Sequence, residues 1–486
     1  MRRISLVAAI AAVVWLGPLA APAVAAEPSP NRVARALEPV LARPELAAAF
    51  WGVEVRGSAS GKTLFSRNAA QAFRPASTMK LVTTAAALDA LGPDARFRTT
   101  VEAAGRLDGL GRILGDVYLV GRGDPTLGSR TTPGRPSGVF EAMAGELAAA
   151  GVRRIEGRVV GHEGAFAGER RGSDWTWEDL AWAYATEISA LSWEDNVVVV
   201  RLAAGEREGD PAVLDVWPPS DTLSIRTSVT TSPAGPPAVR LEREPGTNAV
   251  SLSGTVPLGG EWTGELAVVD PARHAAAAFS AALAARGIRV AFPAVSSREP
   301  LPAGARVLAS HESPPLAELV RAVNKESQNL HAEMLLRALG AQRGEGSEAK
   351  GHEAVLALLD RLGVPHDGWR MSDGSGLART DLVTPRGLAA LLAAMDRHPA
   401  ATAFRASLPI AGRDGTLEKR MRGTAAEGNV SAKTGTLSLV NALAGYVTTR
   451  GGERLVFAFF VNNNAGRGRE AVKALDDAAA ALAALP

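Results

Sequence analysis

The stretch PASTMKLVTTAAALDALG, residues 75–92, decides how the rest of the chain is read. Pro75 suits a helix entry, since its fixed φ matches the first turn and its missing N–H would have had no partner there. From Ser77 to Leu91 the residues are Ala- and Leu-rich helix formers, and Gly92-Pro93 closes the run. Ser77 and Lys80 stand three apart at the start of this helix and share a face, which brings the lysine amine within reach of the hydroxyl. A serine hydroxyl is a weak nucleophile until a neighbouring base takes its proton. The helix start adds free backbone N–H groups and a positive dipole end beside any negative charge that develops. Ser-x-x-Lys alone is a weak signal, because most such pairs in a long chain are plain helix surface.

The surrounding composition bounds the chemistry. The chain has 486 residues, 53 Lys plus Arg against 51 Asp plus Glu, and 46% hydrophobic residues, an ordinary make-up for folded protein. At about 150 residues per domain, two to four domains are expected. A net charge of +2 gives no concentrated positive field for a nucleic-acid partner. There is no cysteine, which excludes disulfides, thiolate zinc sites, iron–sulfur clusters and thiol nucleophiles. Seven histidines are scattered without a His-x-x-x-His pair, and His311 has no evident partner, so no metal site is expected.

At the N-terminus, Arg2-Arg3, the apolar run Ile4 to Leu16, Gly17-Pro18 and the small residues to Ala26 follow the pattern of a secretory leader. The apolar run is too short to span a bilayer, so no integral membrane segment is expected in the mature chain and the protein is expected to be exported. Beyond it, Pro39 to Ala49 reads as helix and Trp51 to Phe65 as strands around Ser58-Ala59-Ser60-Gly61. Gly61-Lys62-Thr63 imitates the end of a phosphate loop, but the required first glycine is Arg56. From about Phe97 to Gly172 the pattern is short strands, such as Gly115 to Val120, and one helix, Phe140 to Ala150. From Leu191 to Val269 it is almost wholly strand-like, with Val197 to Leu202, Leu223 to Thr230 and Ala249 to Gly254 between Pro/Gly turns. Helical periodicity returns at Pro271 to Arg286 and dominates from Pro314. The chain closes with strands Val430 to Thr436, Asn441 to Thr449 and Arg454 to Val461, then a packed Ala-rich helix from Glu470 to Leu485.

Two further motifs change the weight of Ser77 and Lys80. Ser327-Gln328-Asn329 follows the helical stretch Pro314 to Glu326, and Lys433-Thr434-Gly435 lies on a strand before a hairpin. In this order and context the three match the signature of serine acyl-transferring penicillin-interacting enzymes. Gly61 to Asn68 leading to Phe73-Arg74-Pro75-Ala76-Ser77, the segment Ser372-Asp373-Gly374-Ser375-Gly376-Leu377, and Gly412-Arg413-Asp414-Gly415-Thr416-Leu417 extend the likeness over most of the chain. The sequence resembles the D-alanyl-D-alanine carboxypeptidase/endopeptidase family of low-molecular-mass class C penicillin-binding proteins. The gap from Ser77 to Ser327 is more than twice that from Ser327 to Lys433, as large inserted domains would require.

The resemblance implies a multidomain α+β chain: a penicillin-binding transpeptidase/β-lactamase-like core of helices and antiparallel sheet with nested strand-rich inserted domains. The expected division is a signal peptide at 1–26, a transpeptidase-like domain at 27–96 and 310–486, an inserted domain at 97–190 and 270–309, and a nested strand-rich domain at 191–269. It also implies residue roles. Ser77 attacks the carbonyl of the penultimate D-alanine and Lys80, kept neutral by Lys433 and by desolvation, is the base. Ser327 relays a proton to the leaving amine, and Asn329 holds substrate amide and Lys80. Lys433 and Thr434 bind the terminal carboxylate, Gly435 admits the substrate backbone, and the N–H groups of Ser77 and Thr436 form the oxyanion hole. No cofactor is implied. The partners implied are peptidoglycan stem peptides in the periplasm or outside the cytoplasm, cell-wall associated, with β-lactam antibiotics as covalent inhibitors. Trp175 to Leu180 resembles the inserted segment whose aspartate meets the amine of a diaminopimelate side chain, making Asp179 a candidate; an acid capping a following helix is the alternative. Gln328 departs from a frequent form of its motif, and its side chain is expected to point away. A non-catalytic wall-binding relative and a β-lactamase-like hydrolase are the competing readings. The class A segment that activates water for the latter is absent.

Overall fold

The structure, a computed structural model, describes residues 27–486; the leader expected at 1–26 lies outside the described residues. The first helix spans Pro30–Leu41, not 39–49 as the pattern suggested. Of two prolines, Pro30 opens the helix, while Pro39 sits inside it on the exposed face, where water can satisfy the carbonyl that loses its bond. Val33, Leu37, Val40 and Leu41 form its buried stripe.

The core is a five-stranded antiparallel sheet in the order Ser431–Leu437, Val440–Thr448, Arg454–Asn462, Phe50–Gly57, Thr63–Arg67. Its middle strand shows why the sequence there is continuously apolar. Val456, Ala458 and Phe460 pack under a group of helices, while Leu455, Phe457, Phe459 and Val461 pack against Pro30–Leu41 and the C-terminal helix Gly468–Ala483. A strand covered on both faces has no polar side. Phe73 stacks between Phe50 and Phe460, at centroid distances of 4.6 and 5.7 Å, and ties the loop before Ser77 to this layer.

The helix Met79–Leu91 is buried from Met79 to Leu88. Helices Leu316–Lys325, Asn329–Ala341, Glu348–Arg361 and Pro385–Met395 share its core. A helix enclosed in this way needs no amphipathic pattern. The strand Ser431–Leu437 is the sheet's edge, and it runs beside the turn that starts this helix.

Between Leu91 and Leu316 the chain leaves this core and returns. A second five-stranded sheet joins Val295–Ser297, Val159–His162 and Val117–Val120 in parallel, then Arg98–Ala103 and Arg306–Glu312 antiparallel. Helices Gly138–Ala149 and Pro271–Ala285 share its core. Two three-stranded sheets built from residues 197–267 enclose a smaller core of Val198, Val200, Leu202, Val229, Val250, Leu252 and Leu266. Here Ala249–Pro257 runs past Gly254, which was read as its end. Gly254 has φ +116, and a Cβ there would strike the carbonyl of Ala238, so this glycine marks a close strand approach rather than a turn.

Candidate active site

Ser77 sits in a single 3-10 turn, Ala76–Thr78, that runs directly into the helix Met79–Leu91. The Thr78 hydroxyl donates to the Pro75 carbonyl at 2.7 Å and Ala76 takes a left-handed φ of +46. The turn is pressed from two sides by backbone. A Cβ on Gly435 would lie 2.6 Å from the Pro75 oxygen and 3.1 Å from the Ala76 Cβ, and one on Gly376 would strike the Ala76 carbonyl. Gly435, expected to admit a substrate backbone, turns the face where a Cβ would stand to the protein's own Ser77 turn.

Lys80 is fully buried, and its Nζ lies 2.9 Å from Ser77 Oγ, 2.6 Å from Asn329 Oδ1 and 2.7 Å from the Ser375 carbonyl. Asn329 donates its Nδ2 to the Tyr184 carbonyl at 2.7 Å, which fixes Oδ1 as the atom facing Lys80. Lys433, also fully buried, donates to Ser327 Oγ at 2.9 Å and to the Thr434 carbonyl at 3.0 Å. Thr434 Oγ1 is 2.9 Å from Thr416 Oγ1, and Thr436 is exposed at the end of the same strand. The three motifs therefore meet. Ser77, Ser327, Asn329 and Thr436 line one cleft of about 360 Å³ together with Asp179, Tyr184 and Arg379.

Burial pushes the Lys80 amine down to about 8, against Asp373, Glu333 and Asp381, whose charges favour its protonated form. Burial leads here, as part of the expected cause, and the repulsion expected between the Lys80 and Lys433 amines is felt at Lys433. Lys433 itself is pushed well below its usual range by burial and then by the charge of Lys80. Glu333 accepts from the N–H groups of Gly374 and Ser375, and burial followed by the Asp373 charge raises it to about 8. Asp373 accepts from the N–H groups of Ser375, Gly376 and Ala378, and from the Trp175 indole at 2.9 Å. Asp381 accepts from Ser372 N–H at 2.6 Å and is raised well above its ordinary value, first by burial. These acids hold the loop 372–378 that delivers the Ser375 carbonyl to Lys80.

Asp179 accepts from Thr176 Oγ1 at 2.6 Å, Arg379 Nη1 at 3.1 Å and the Tyr184 hydroxyl at 3.1 Å. Burial opposes its ionisation, but these donors outweigh it and hold the carboxyl below its ordinary value. Only the three-residue turn Ala183–Ala185 follows, so Asp179 caps no helix. Gln328, expected to point away, donates to Asp195 at 2.9 Å. His311, which had no evident partner, lies 3.9 Å from the Asp124 carboxylate. Sequence reading did not find Tyr184, Arg379, Thr416, Asp195 or Glu333. Asp373 and Ser375 lie in the segment 372–377 whose pattern resembles the family, yet no role could be read for them, because neither a backbone carbonyl nor a buried acid announces itself by spacing. Among the described residues no group of three or more His, Asp or Glu has metal-binding geometry.

The family described as the D-Ala-D-Ala carboxypeptidase 3 (S13) family matches residues 33–484. The D-alanyl-D-alanine carboxypeptidase of Actinomadura sp. strain R39 is 38% identical over 459 residues, which cover 91% of this chain and 83% of that protein. Carboxypeptidase DacB of Mycolicibacterium smegmatis is 30% identical over 466 residues, covering 92% of this chain and 84% of that protein. Penicillin binding protein 4 (dacB) from Haemophilus influenzae superposes with a TM-score of 0.77 at 24% identity, covering 93% of this chain and 98% of that one, so the two share a fold. The architecture is thus the penicillin-binding core of helices and antiparallel sheet with inserted domains.

Proposed function

The chain belongs to the D-Ala-D-Ala carboxypeptidase 3 (S13) family, and from this we propose that it is an exported penicillin-binding serine peptidase acting through an acyl-enzyme on Ser77. Its substrates are the D-Ala-D-Ala termini of peptidoglycan stem peptides and, as an endopeptidase, the D-Ala–diamino acid cross-links between them. The leader pattern in residues 1–26 supports export to a periplasmic or other extracytoplasmic, wall-associated site.

The observation that carries the reading is the surroundings of the Lys80 amine. A neutral amine has two N–H groups and one lone pair. Asn329 Oδ1 and the Ser375 carbonyl can only accept, so they occupy both N–H groups and leave the lone pair to the Ser77 hydroxyl at 2.9 Å. Lys80 then takes the hydroxyl proton as Ser77 Oγ attacks the carbonyl carbon of the penultimate D-alanine. The N–H groups of Ser77 and Thr436 receive the developing oxyanion. The proton passes through Ser327, held by Lys433, to the departing nitrogen; the C–N bond breaks and an ester remains on Ser77. Water, giving its proton to Lys80, then attacks the ester, and Ser77 Oγ leaves with a proton. Lys433 and Thr434 receive the terminal carboxylate. In the same cleft, Asp179 suits the ammonium of a diaminopimelate side chain and Arg379 its carboxylate. A β-lactam offers its carbonyl to the same serine, and its nitrogen stays tethered to the acyl group where a freed amine would depart.

Labelled penicillin followed by mass spectrometry of the peptide containing Ser77 tests this. Covalent mass on Ser77 in the intact protein and none in Ser77→Ala is expected; an unlabelled intact protein overturns the assignment and leaves the non-catalytic wall-binding relative. Rapid release of hydrolysed penicillin would instead favour a β-lactamase-like hydrolase. Digestion of cross-linked peptidoglycan separates the two peptidase activities, by release of D-alanine or of monomers.

A further inference from the structure

The turn that carries Ser327 and Asn329 is held from outside the core to which it belongs. Ser327 has φ +65, a left-handed conformation that a non-glycine residue keeps only when its surroundings enforce it. Facing it is a second strained turn, Glu194-Asp195-Asn196, with φ values of +49, +53 and +58 in succession. Left-handed residues other than glycine normally occur singly. Here the turn is locked. Buried Asn196 donates to the Glu187 carbonyl at 2.9 Å and to Ser192 Oγ at 3.1 Å and accepts from Trp193 N–H at 3.2 Å, while Glu194 accepts from the Ser129 N–H.

What this strain presents is one carboxylate. Asp195 accepts from Gln328 Nε2 at 2.9 Å, from His331 Nε2 at 2.8 Å, and from Arg130 through Nε at 2.9 Å and Nη2 at 2.7 Å. Arg130 also donates to Glu326 at 2.8 Å. Residues 326, 328 and 331 surround Ser327 in sequence, and all are tied, directly or through Arg130, to Asp195. Burial alone would favour the neutral acid, but His331 and Arg130 outweigh it and keep Asp195 charged. We propose that Asp195 is a positioning residue for the Ser327–Asn329 turn, setting the Ser327 hydroxyl against Lys433 and the Asn329 amide against Lys80 from the inserted part of the chain.

The role rests on the reading of Ser77, Lys80 and Ser327 as the reacting groups. Asp195 touches no atom that would react, so it acts on the rate of acylation rather than on capture of the substrate carboxylate by Lys433 and Thr434. In the full chain, Asp195→Asn keeps the shape and removes the charge. Acylation of Ser77 by labelled penicillin is expected to slow by roughly tenfold or more, and kcat on a D-Ala-D-Ala peptide to fall with KM within about twofold. Gln328→Ala removes one donor and is expected to act in the same direction more weakly, with a non-additive double variant. Should Asp195→Asn not fold, Gln328→Glu, which sets a second carboxylate against Asp195, decides by the same readouts. Variants labelled as fast as the wild-type protein overturn the role of Asp195, as does a loss expressed wholly in KM or in the fraction of labelled molecules. A wild-type protein that is not labelled at all overturns the underlying reading, and this one with it.

Discussion

The two serines of the cleft stand on turns built in opposite ways. Around Ser77 the ties are local: Thr78 to the Pro75 carbonyl and Lys80 one helical turn on, with distant segments contributing the bare faces of Gly435 and Gly376 and acceptors for the amine. Around Ser327 they come from afar: Lys433 from the edge strand, Tyr184 and Asp195 from the inserted chain. A hydroxyl and its base can share one helix face, because residues three apart are neighbours there. Ser327, the relay we propose, lies on another segment, which Asn329 ties to Lys80 and Lys433 ties to the edge strand. The first serine therefore depends on helix propensity and small residues, the second on how two parts of the molecule dock.

The largest effect is expected where the local pair is broken. Lys80→Ala should slow acylation of Ser77 by about three orders of magnitude, read as the second-order rate of labelling; a fall of less than about tenfold would mean that the helix face is not where the proton goes. Lys433→Ala attacks the distant side and should lower kcat/KM on a D-Ala-D-Ala peptide by about a hundredfold, less than the loss of Lys80. If its effect were the greater, the order of dependence between the two turns would be reversed.

The pH profile sharpens the same contrast. With the Lys80 amine at about 8, the proton must leave before the amine can accept another. The acylation rate should therefore climb about tenfold per pH unit below that value and level off above it; a flat profile across neutral pH would remove Lys80 as the base. Asp179→Asn should reduce kcat/KM by about tenfold on a peptide bearing a side-chain ammonium and leave a peptide without one unchanged. The smallest change is expected from Thr416→Val. Thr434 donates its hydroxyl to Thr416 Oγ1 at 2.9 Å, a contact that fixes the Thr434 side chain where the carboxylate would be received. Its loss should raise KM a few-fold, by about the worth of one neutral hydrogen bond, with kcat nearly unchanged in steady-state assays.

Much of the core was legible because its patterns are local. The apolar strand Arg454–Asn462 and the helix Met79–Leu91 follow from propensity and from burial on all sides. Where reading failed, a local rule had two solutions. Either Pro30 or Pro39 could open a helix, and packing of Val33 and Leu37 chose Pro30. Gly254 suited a turn, but the approach of Ala238 put it inside a strand. That the face of Gly435 without a Cβ lies against Pro75 and Ala76 could not be read either, since spacing says nothing about which backbone lies against a missing side chain.

By itself the sequence determined the order of three short motifs and the neighbourhood of Ser77 and Lys80, because one helical turn converts spacing into proximity. Only the tertiary structure decided that the Ser375 carbonyl joins Asn329 at the Lys80 amine, that Glu333, Asp373 and Asp381 lie buried nearby, and that Asp195 grips the second motif. A carbonyl looks alike at every position, and a carboxylate takes its character from burial and neighbours that exist only once distant segments have packed.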